Sequence, residues 1–455
     1  MTATGDERAR IAMAAREAVM QRLPGSGAVP QRAMREGAGQ RAAGFDELPS
    51  YVDSERLKLL ARMAGVSTPF FRLHEGLAGA QSRIDGRDVL NFASYDYCGL
   101  NADTRVAGAA KAAIDRFGVS PSGSRLVSGN RPVHLALEAS LAEHYDAEAA
   151  LSFVSGHSTN VSTIGHLVGE GDVIFFDALC HNSIVMGMKL SGAARRAFPH
   201  NDLEALEGLL AECRGRYRNA LIVTEGLFSM DGDLPPLAGL IDLKRRFGAW
   251  LMVDEAHALG TVGARGEGSF AALGIMPCEV DIWMGTLSKA LASTGGYIAG
   301  SRALIEVLRD HASGFVYSVA LAPALAAAAG EALSILKAEP WRVERLQTNA
   351  ALFLRLAREA GLDTGAAGPF GIVPVLVGDS LLAAKLSAAL LEQRVNVTPV
   401  MFPAVPMRAA RLRFFLSAMH GEAEIRSAVE LTAACLDRLR GEGFGMALPP
   451  GLVGL

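Results

Sequence analysis

The sequence predicts an α/β protein built on a largely parallel central sheet, with a smaller α+β domain at its C-terminal end. Three observations carry this. From about residue 105, short apolar runs recur at 151–154, 173–176, 220–223, 250–253, 282–284 and 297–299, each closed by polar or glycine residues. Runs of that length and make-up are how strands buried on both faces of a parallel sheet read. Helical patterns separate them, and the alternation defines the class. Beyond about residue 337 the pattern changes to strands at 373–377, 395–400 and 411–416 with helices near 380–393 and 423–440.

In chain order, residues 1–45 read as a flexible or weakly helical extension rich in Arg, Ala and Gly, with a possible helix at 11–21. Residues 46–104 form an N-terminal arm and part of the smaller domain, with a helix at 56–64 and a strand at 89–92 before a turn at 95–99. Residues 105–336 make the large domain, and 337–455 the C-terminal small domain. The apolar stretch at 316–336 is interrupted by Pro323 and Glu331, so it reads as a buried helix and not as a membrane span.

Composition narrows the function. Half of the 455 residues are hydrophobic and the formal charge is −4, so a large core is possible and a nucleic-acid partner gains no electrostatic support. Five scattered cysteines without metal-ligand spacing fit reduced thiols. With no secretory pattern in the first forty residues, the expectation is a cytoplasmic protein without an integral membrane segment.

In open α/β sheets ligands sit beyond the carboxyl ends of the strands, so the residues after each apolar run are the candidates. Lys289 lies in Gly285-Thr-Leu-Ser-Lys-Ala290, followed by Ser293-Thr-Gly-Gly296. Burial there lowers an ammonium pKa and makes the amine a Schiff-base nucleophile, whereas a lone lysine in such a turn reads as surface. Asp254 ends another run, in Val253-Asp-Glu-Ala-His257, and a buried carboxylate needs a cation. The protonated pyridine nitrogen of pyridoxal phosphate is such a cation, and His257 could reach the phenolic oxygen of the same ring. A metal-binding acid is the alternative, but no GxxxxGK[ST] phosphate loop occurs. Phe153-Val-Ser-Gly-His-Ser-Thr-Asn160 reads as a strand, a turn and a helix start, whose free N–H groups could bind phosphate. His181 follows a further strand and could lie on a cofactor ring or be an ordinary histidine.

Six motifs in order, Ser122-Gly-Ser-Arg-Leu-Val-Ser-Gly129, FVSGHSTN, DALCHNS, TEGLFSMDGD, VDEAHALG and GTLSKALASTGGY, resemble those of the α-oxoamine synthases. The resemblance runs from about Asn91 to His420. It implies the aspartate-aminotransferase fold (fold type I), pyridoxal 5′-phosphate as cofactor, and a homodimer with shared active sites. It makes Lys289 the imine-forming lysine, Asp254 the partner of the pyridine nitrogen, and His181 the stacked imidazole. His257 and Ser229 match positions near the phenolic oxygen. Gly156, His157 and Thr286 occupy the phosphate-cradle positions, although the family often has an aromatic or aliphatic residue in place of His157, and Ser318 resembles the phosphate contact lent by the neighbouring subunit. Arg413 matches the clamp on the amino-acid carboxylate, where a bidentate guanidinium suits the task. Ser124 and Tyr97 complete the substrate-binding set.

The implied reaction is decarboxylative condensation of serine, alanine or glycine with an acyl thioester of coenzyme A or a carrier protein. One departure concerns soluble bacterial serine palmitoyltransferases, which carry an arginine near the segment that here reads Met401-Phe-Pro403. A second departure is that Ser155-Gly-His-Ser-Thr-Asn160 and His181-Asn-Ser-Ile-Val-Met-Gly187 resemble synthases working beside carrier proteins in polyketide-type or lipid pathways, so a serine-palmitoyltransferase-like or carrier-protein-dependent enzyme is the favoured expectation. The alternatives are an aminotransferase of the same fold and a silent partner subunit, the latter disfavoured by the presence of Lys289.

Overall fold

The computed structural model describes residues 44–63, 65–66 and 68–444. Almost all of the extension expected over residues 1–45, with its candidate helix, lies outside the described residues. The arm begins with a helix over Pro49–Met63, earlier and longer than the expected 56–64. Strands β1 (Gln81–Ile84) and β2 (Arg87–Asn91) then pair antiparallel around Asp85-Gly86. Both turn residues have positive φ, 50° and 70°, which matches the right-handed strand twist in a two-residue hairpin.

The large sheet is formed by β3 (Ala149–Phe153), β4 (Val173–Asp177), β5 (Ala194–Phe198), β6 (Ala220–Glu225), β7 (Trp250–Asp254), β8 (Ile282–Thr286) and β9 (Gly296–Gly300). Its order is β3-β9-β8-β7-β6-β4-β5. Strands β5, β4, β6, β7 and β8 run parallel, and β9 alone opposes its neighbours β8 and β3. Every residue of β4, β6, β8 and β9 is buried, as their unbroken apolar runs require. The exception is β5, absent from the sequence expectation. It is an edge strand whose Arg196 and Ala197 are exposed, and the exposed arginine also blunts the edge.

Helices cover both faces of this sheet. Between β8, β9 and the helices on one side, Trp283 stacks on Tyr145 at 5.2 Å, and the Tyr145 and Tyr297 hydroxyls meet at 2.7 Å, satisfying the two buried polar ends. The apolar stretch at 316–336 becomes a buried helix over Pro323–Ala338 that opens on its proline, where the missing N–H costs nothing. No helix among the described residues is long and apolar enough to cross a membrane.

The C-terminal strands are β10 (Ile372–Gly378), β11 (Val395–Asn396), β12 (Thr398–Val400) and β13 (Ala410–Phe415), with helices at Ser380–Glu392 and Glu422–Gly441. The single strand expected at 395–400 is divided between two sheets. β11 joins β2 in parallel, whereas β12 pairs with β13. Pro399 explains the placement of β12, because a residue without an N–H is tolerated on an edge strand and β12 has one neighbour.

One buried cluster ties this framework to the loop after β6. The His200 ring places Nδ1 3.1 Å from both oxygens of Asp177 at the end of β4, and Nε2 2.9 Å from Asp233 Oδ2. Burial opposes a charge on this ring, but the two carboxylates overcome it and raise the pKa to about 10. Asp233 closes the loop 226–233, which is held from the other side by Arg411 on Asp231 at 2.6 Å. A histidine whose folded pKa stands above its unfolded value stabilises fully below about pH 6.5 and loses that contribution as pH rises through about 10. We therefore expect His200→Gln to lower the urea midpoint most near pH 6.5, with the gap to wild type narrowing towards pH 10. Denaturation followed at both ends of that range checks the slope.

Candidate active site

The carboxyl ends of β3, β4, β6, β7 and β8 open on one side of the sheet, and the sequence candidates gather there. Lys289 sits in the tight connection between β8 and β9. Leu287 N–H donates to Gly295 O at 3.0 Å, Ser293 N–H to Leu287 O at 3.0 Å, and Ala292 N–H to Lys289 O at 3.0 Å. Gly295 adopts φ 135°, and a Cβ there would meet Phe153 O at 2.8 Å, so the loop can close only on glycine. Lys289 Nζ lies 5.7 Å from the centroid of the Tyr95 ring. Solvent reaches part of the side chain. Burial nevertheless lowers the amine pKa to about 8, with Arg413 adding to the fall while Asp254 and Glu225 oppose it.

Asp254, at the end of β7, is 4 % exposed. Its Oδ1 accepts from Ala256 N–H at 2.9 Å and its Oδ2 from Asn160 Nδ2 at 2.8 Å. No lysine or arginine forms an ion pair with it among the described residues, so two N–H groups are its direct partners and Lys289 acts on it only at longer range. His257 is buried beside it, with Nδ1 2.8 Å from the Tyr97 hydroxyl and its ring parallel to Phe415 at 6.4 Å. Burial, then the nearby Lys289, Arg413 and His181, push its pKa well below the usual histidine value, and the ring is neutral at pH 7.

His181 caps the helix Asn182–Ser191, its Nδ1 accepting from Ser183 N–H at 3.2 Å. Burial of the ring nitrogens lowers its pKa, Asp254 opposes, and Lys289, His157 and Arg413 add to the fall, although its outer face is open to solvent. Gly156 and His157 begin the helix Gly156–Leu167. The Ser155 hydroxyl caps Ser158 N–H at 3.0 Å, and the N–H groups of Gly156 and His157 have no partner among the described residues. A Cβ on Gly156 would lie 2.8 Å from Thr286 Oγ1, so glycine lets the helix start approach the threonine. This end combines free N–H donors, a helix dipole and a hydroxyl, the chemistry of an anion site.

Arg413, on β13, is half-buried and donates to Ser229 O at 3.0 Å, with its guanidinium 4.6 Å from the Phe415 ring centroid. Its Nε is buried with no hydrogen-bond partner, and no carboxylate pairs with it among the described residues.

The structure thus brings together Lys289, Asp254, His257, His181, Gly156, His157, Thr286, Ser229 and Arg413. It does not add Ser124 or Ser318. The Ser318 hydroxyl bonds its neighbour's carbonyl at 3.1 Å, and Ser124 serves its own loop by accepting from Gly129 N–H at 2.8 Å. Tyr97 takes a different place from the one expected. It is 1 % exposed with its hydroxyl turned to His257, whereas Tyr95 is 40 % exposed and its ring centroid lies 5.7 Å from Lys289 Nζ. Sequence reasoning missed Asn160, Ser183, Tyr95 and Phe415. Asn160 had a readable signal, standing one helical turn after Gly156 on the same face.

The aminotransferase class I and II family matches residues 87–431. The chain is 46 % identical over 347 residues to the 8-amino-7-oxononanoate synthase of Methylobacterium nodulans, covering 76 % of this chain and 87 % of that protein. It is 44 % identical over 368 residues to the enzyme of that name from Geobacter sulfurreducens, covering 80 % and 93 %. Among solved structures, Sphingomonas wittichii serine palmitoyltransferase superposes with TM-score 0.82 at 30 % identity, covering 88 % of this chain and 99 % of that one. The 8-amino-7-oxononanoate synthase of Francisella tularensis gives 0.67 at 26 %, covering 78 % and 99 %. The mainly parallel sheet and C-terminal strands are accordingly those of fold type I. On these likenesses the chain belongs to the aminotransferase class I and II family, among its pyridoxal-phosphate-dependent α-oxoamine synthases.

Proposed function

We propose that this chain condenses a small α-amino acid with an acyl thioester, releasing carbon dioxide, free thiol and an α-amino ketone. The observation that carries the reading is the meeting, at the carboxyl ends of the central strands, of a pKa-lowered lysine with a buried carboxylate and a guanidinium that each lack an ion-pair partner among the described residues. The residues fit the cofactor. The Gly156 cradle suits its phosphate, Asp254 lacks the cation that a pyridinium would be, and Lys289 offers the amine. When bound, pyridoxal phosphate supplies an electron sink for the pair left on the amino-acid Cα.

The chain's own residues supply the rest. At pKa about 8, about a tenth of the Lys289 amine is neutral at pH 7, against roughly three in ten thousand for a lysine at 10.5. Lys289 Nζ can therefore take the Cα proton and later return one to the same carbon. Arg413, which has no carboxylate partner among the described residues, holds the substrate carboxylate. His257 and Tyr97 stay uncharged, because burial holds their pKa values well below and well above the usual ones, so they orient by hydrogen bonding.

For substrates, the name of the sequence relatives is informative. Cut between C7 and C8, 8-amino-7-oxononanoate divides into a two-carbon amino unit, which is alanine without its carboxyl, and a seven-carbon acyl unit ending in a carboxylate. Alanine with such an acyl thioester is the first pairing to test. Serine with a long acyl chain is the second reading, favoured by the higher TM-score to serine palmitoyltransferase. The reading includes a homodimer. Leu126, Val127, Tyr317 and Val319 are exposed large apolar side chains around Ser124 and Ser318, and Ala320 N–H joins the two segments through Gly123 O at 3.0 Å. A partner covering that patch would receive Ser318 at its own site. An acyl carrier protein is a possible donor alongside coenzyme A.

Thiol and carbon dioxide release, scanned over alanine, serine and glycine with both acyl classes on coenzyme A and carrier protein, tests the reading. Keto-acid formation without thiol release would favour an aminotransferase instead. Lys289→Ala should bind pyridoxal phosphate without the visible imine band. In the wild-type apoprotein the rate of band formation should rise with pH and level off above about 8, because only the neutral amine reacts. Arg413→Lys keeps the charge but loses the fork. It should raise the amino-acid KM about ten- to a hundredfold and leave the thioester KM within about twofold.

A further inference from the structure

We infer that Asn160 and Ser183 are positioning residues for this reaction, forming a hydrogen-bond relay that ties the Asp254 carboxylate to the His181 imidazole and keeps the imidazole proton on Nε2. The inference rests on the proposed function only for the role of His181. The relay itself follows from donor and acceptor counting.

Asn160 Nδ2 has two hydrogens and two partners, Asp254 Oδ2 at 2.8 Å and Ser183 Oγ at 2.9 Å. The reversed amide would set Oδ1 against the carboxylate, acceptor to acceptor, so Asp254 fixes the orientation. The cost is visible, since Oδ1 is buried without a partner. Ser183 Oγ accepts from Asn160 and keeps its own hydrogen for His181 Nδ1, 2.7 Å away. Ser183 N–H also points at that nitrogen, at 3.2 Å, and a peptide N–H can only donate. Both bonds make Nδ1 an acceptor, so a neutral ring carries its hydrogen on Nε2. Nε2 has no partner among the described residues and is left to donate to whatever binds.

The relay is dry and rigid. Asn160 and Ser183 are each 1 % exposed, and they stand on the facing helices Gly156–Leu167 and Asn182–Ser191. A Cβ on Gly187 would come 2.8 Å from Asn160 O, so that glycine admits the close helix approach. The lowered pKa of His181 keeps the ring neutral near pH 7, the state in which the tautomer matters.

The test uses full-length holoenzyme labelled with ¹⁵N-histidine, the His181 signals being those missing from His181→Asn. Wild type should show the pattern of an Nε2–H imidazole. Ser183→Ala should shift it towards a tautomer mixture and lower kcat about tenfold. Cofactor occupancy and the thioester KM should stay put, and Ser183→Thr should recover part of both losses. Asn160→Ala combined with Ser183→Ala should cost little more than either alone, because the two act in one chain. An Nδ1–H pattern in wild type overturns the inference without any variant. Unchanged tautomer and kcat in a folded Ser183→Ala protein overturn it as well. Failure of wild type to bind pyridoxal phosphate would sink the proposed function instead, and leaves the ring's tautomer measurable.

Discussion

A carboxylate taken out of water without a bonded cation is the constraint on which the site depends. Burying an unpaired charge costs several kcal/mol, even after relaxation. Asp254 offsets part of this through Ala256 N–H and Asn160 Nδ2, each charge-assisted bond contributing about 1.5–3 kcal/mol. Those donors have to be delivered, and much of the surrounding architecture serves the delivery. Gly156 lets the start of the helix Gly156–Leu167 approach Thr286 at the end of β8, and Gly187 lets the helix Asn182–Ser191 approach Asn160. The first of these helices leaves the N–H groups of Gly156 and His157 without a partner among the described residues, so one placement delivers both the Asn160 donor and a set of free N–H groups. Lys289 then meets a field in which the carboxylate favours its charge and burial disfavours it, and burial prevails.

The frame was legible in the sequence where hydrophobicity dictates it. Strands β4, β6, β7 and β8 announce themselves because both faces are buried. What could not be read is what depends on neighbours. β5 looks polar because one edge faces outward, and its pairing is a fact about β4. The break between β11 and β12 cannot be placed from the run at 395–400, since Pro399 marks an edge strand but not which sheet each half joins. The reversed direction of β9 leaves no mark in composition at all.

The site divides in the same way. Lys289, Asp254 and His257 stand out because a charge or an imidazole after an apolar strand is chemically conspicuous. Asn160 and Ser183 are common residue types whose importance lies in what they touch, and no pattern along the chain reports a contact such as that from Asn160 to Asp254. Tyr97 and Tyr95 show the limit most clearly. They are two residues apart, yet one is sealed behind His257 and the other faces Lys289, because alternate residues of an extended segment need not share an environment once the chain turns. Ser124 and Ser318 lie beside exposed apolar side chains, so their proposed roles depend on a surface that one chain does not complete.

The unmet groups of the site also bear on its specificity. Arg413 keeps a buried Nε without an acceptor while its neighbours offer a carbonyl and an aromatic face. A side chain held this way is costly in the free protein. On the proposed reading, a ligand that brings a carboxylate would pair with this guanidinium, whereas an amine lacking the carboxylate would leave it without an ion pair. Discrimination of this kind is larger than a hydrophobic pocket achieves, because rejecting the wrong ligand leaves a buried polar group unpaired. The stacking of the guanidinium on Phe415 matters here, since it fixes the plane of the fork before the ligand arrives. On the proposed reading, selection for an α-amino acid would rest on the Arg413 side chain, and the exposed surface around Tyr95 would be where amino acids are told apart.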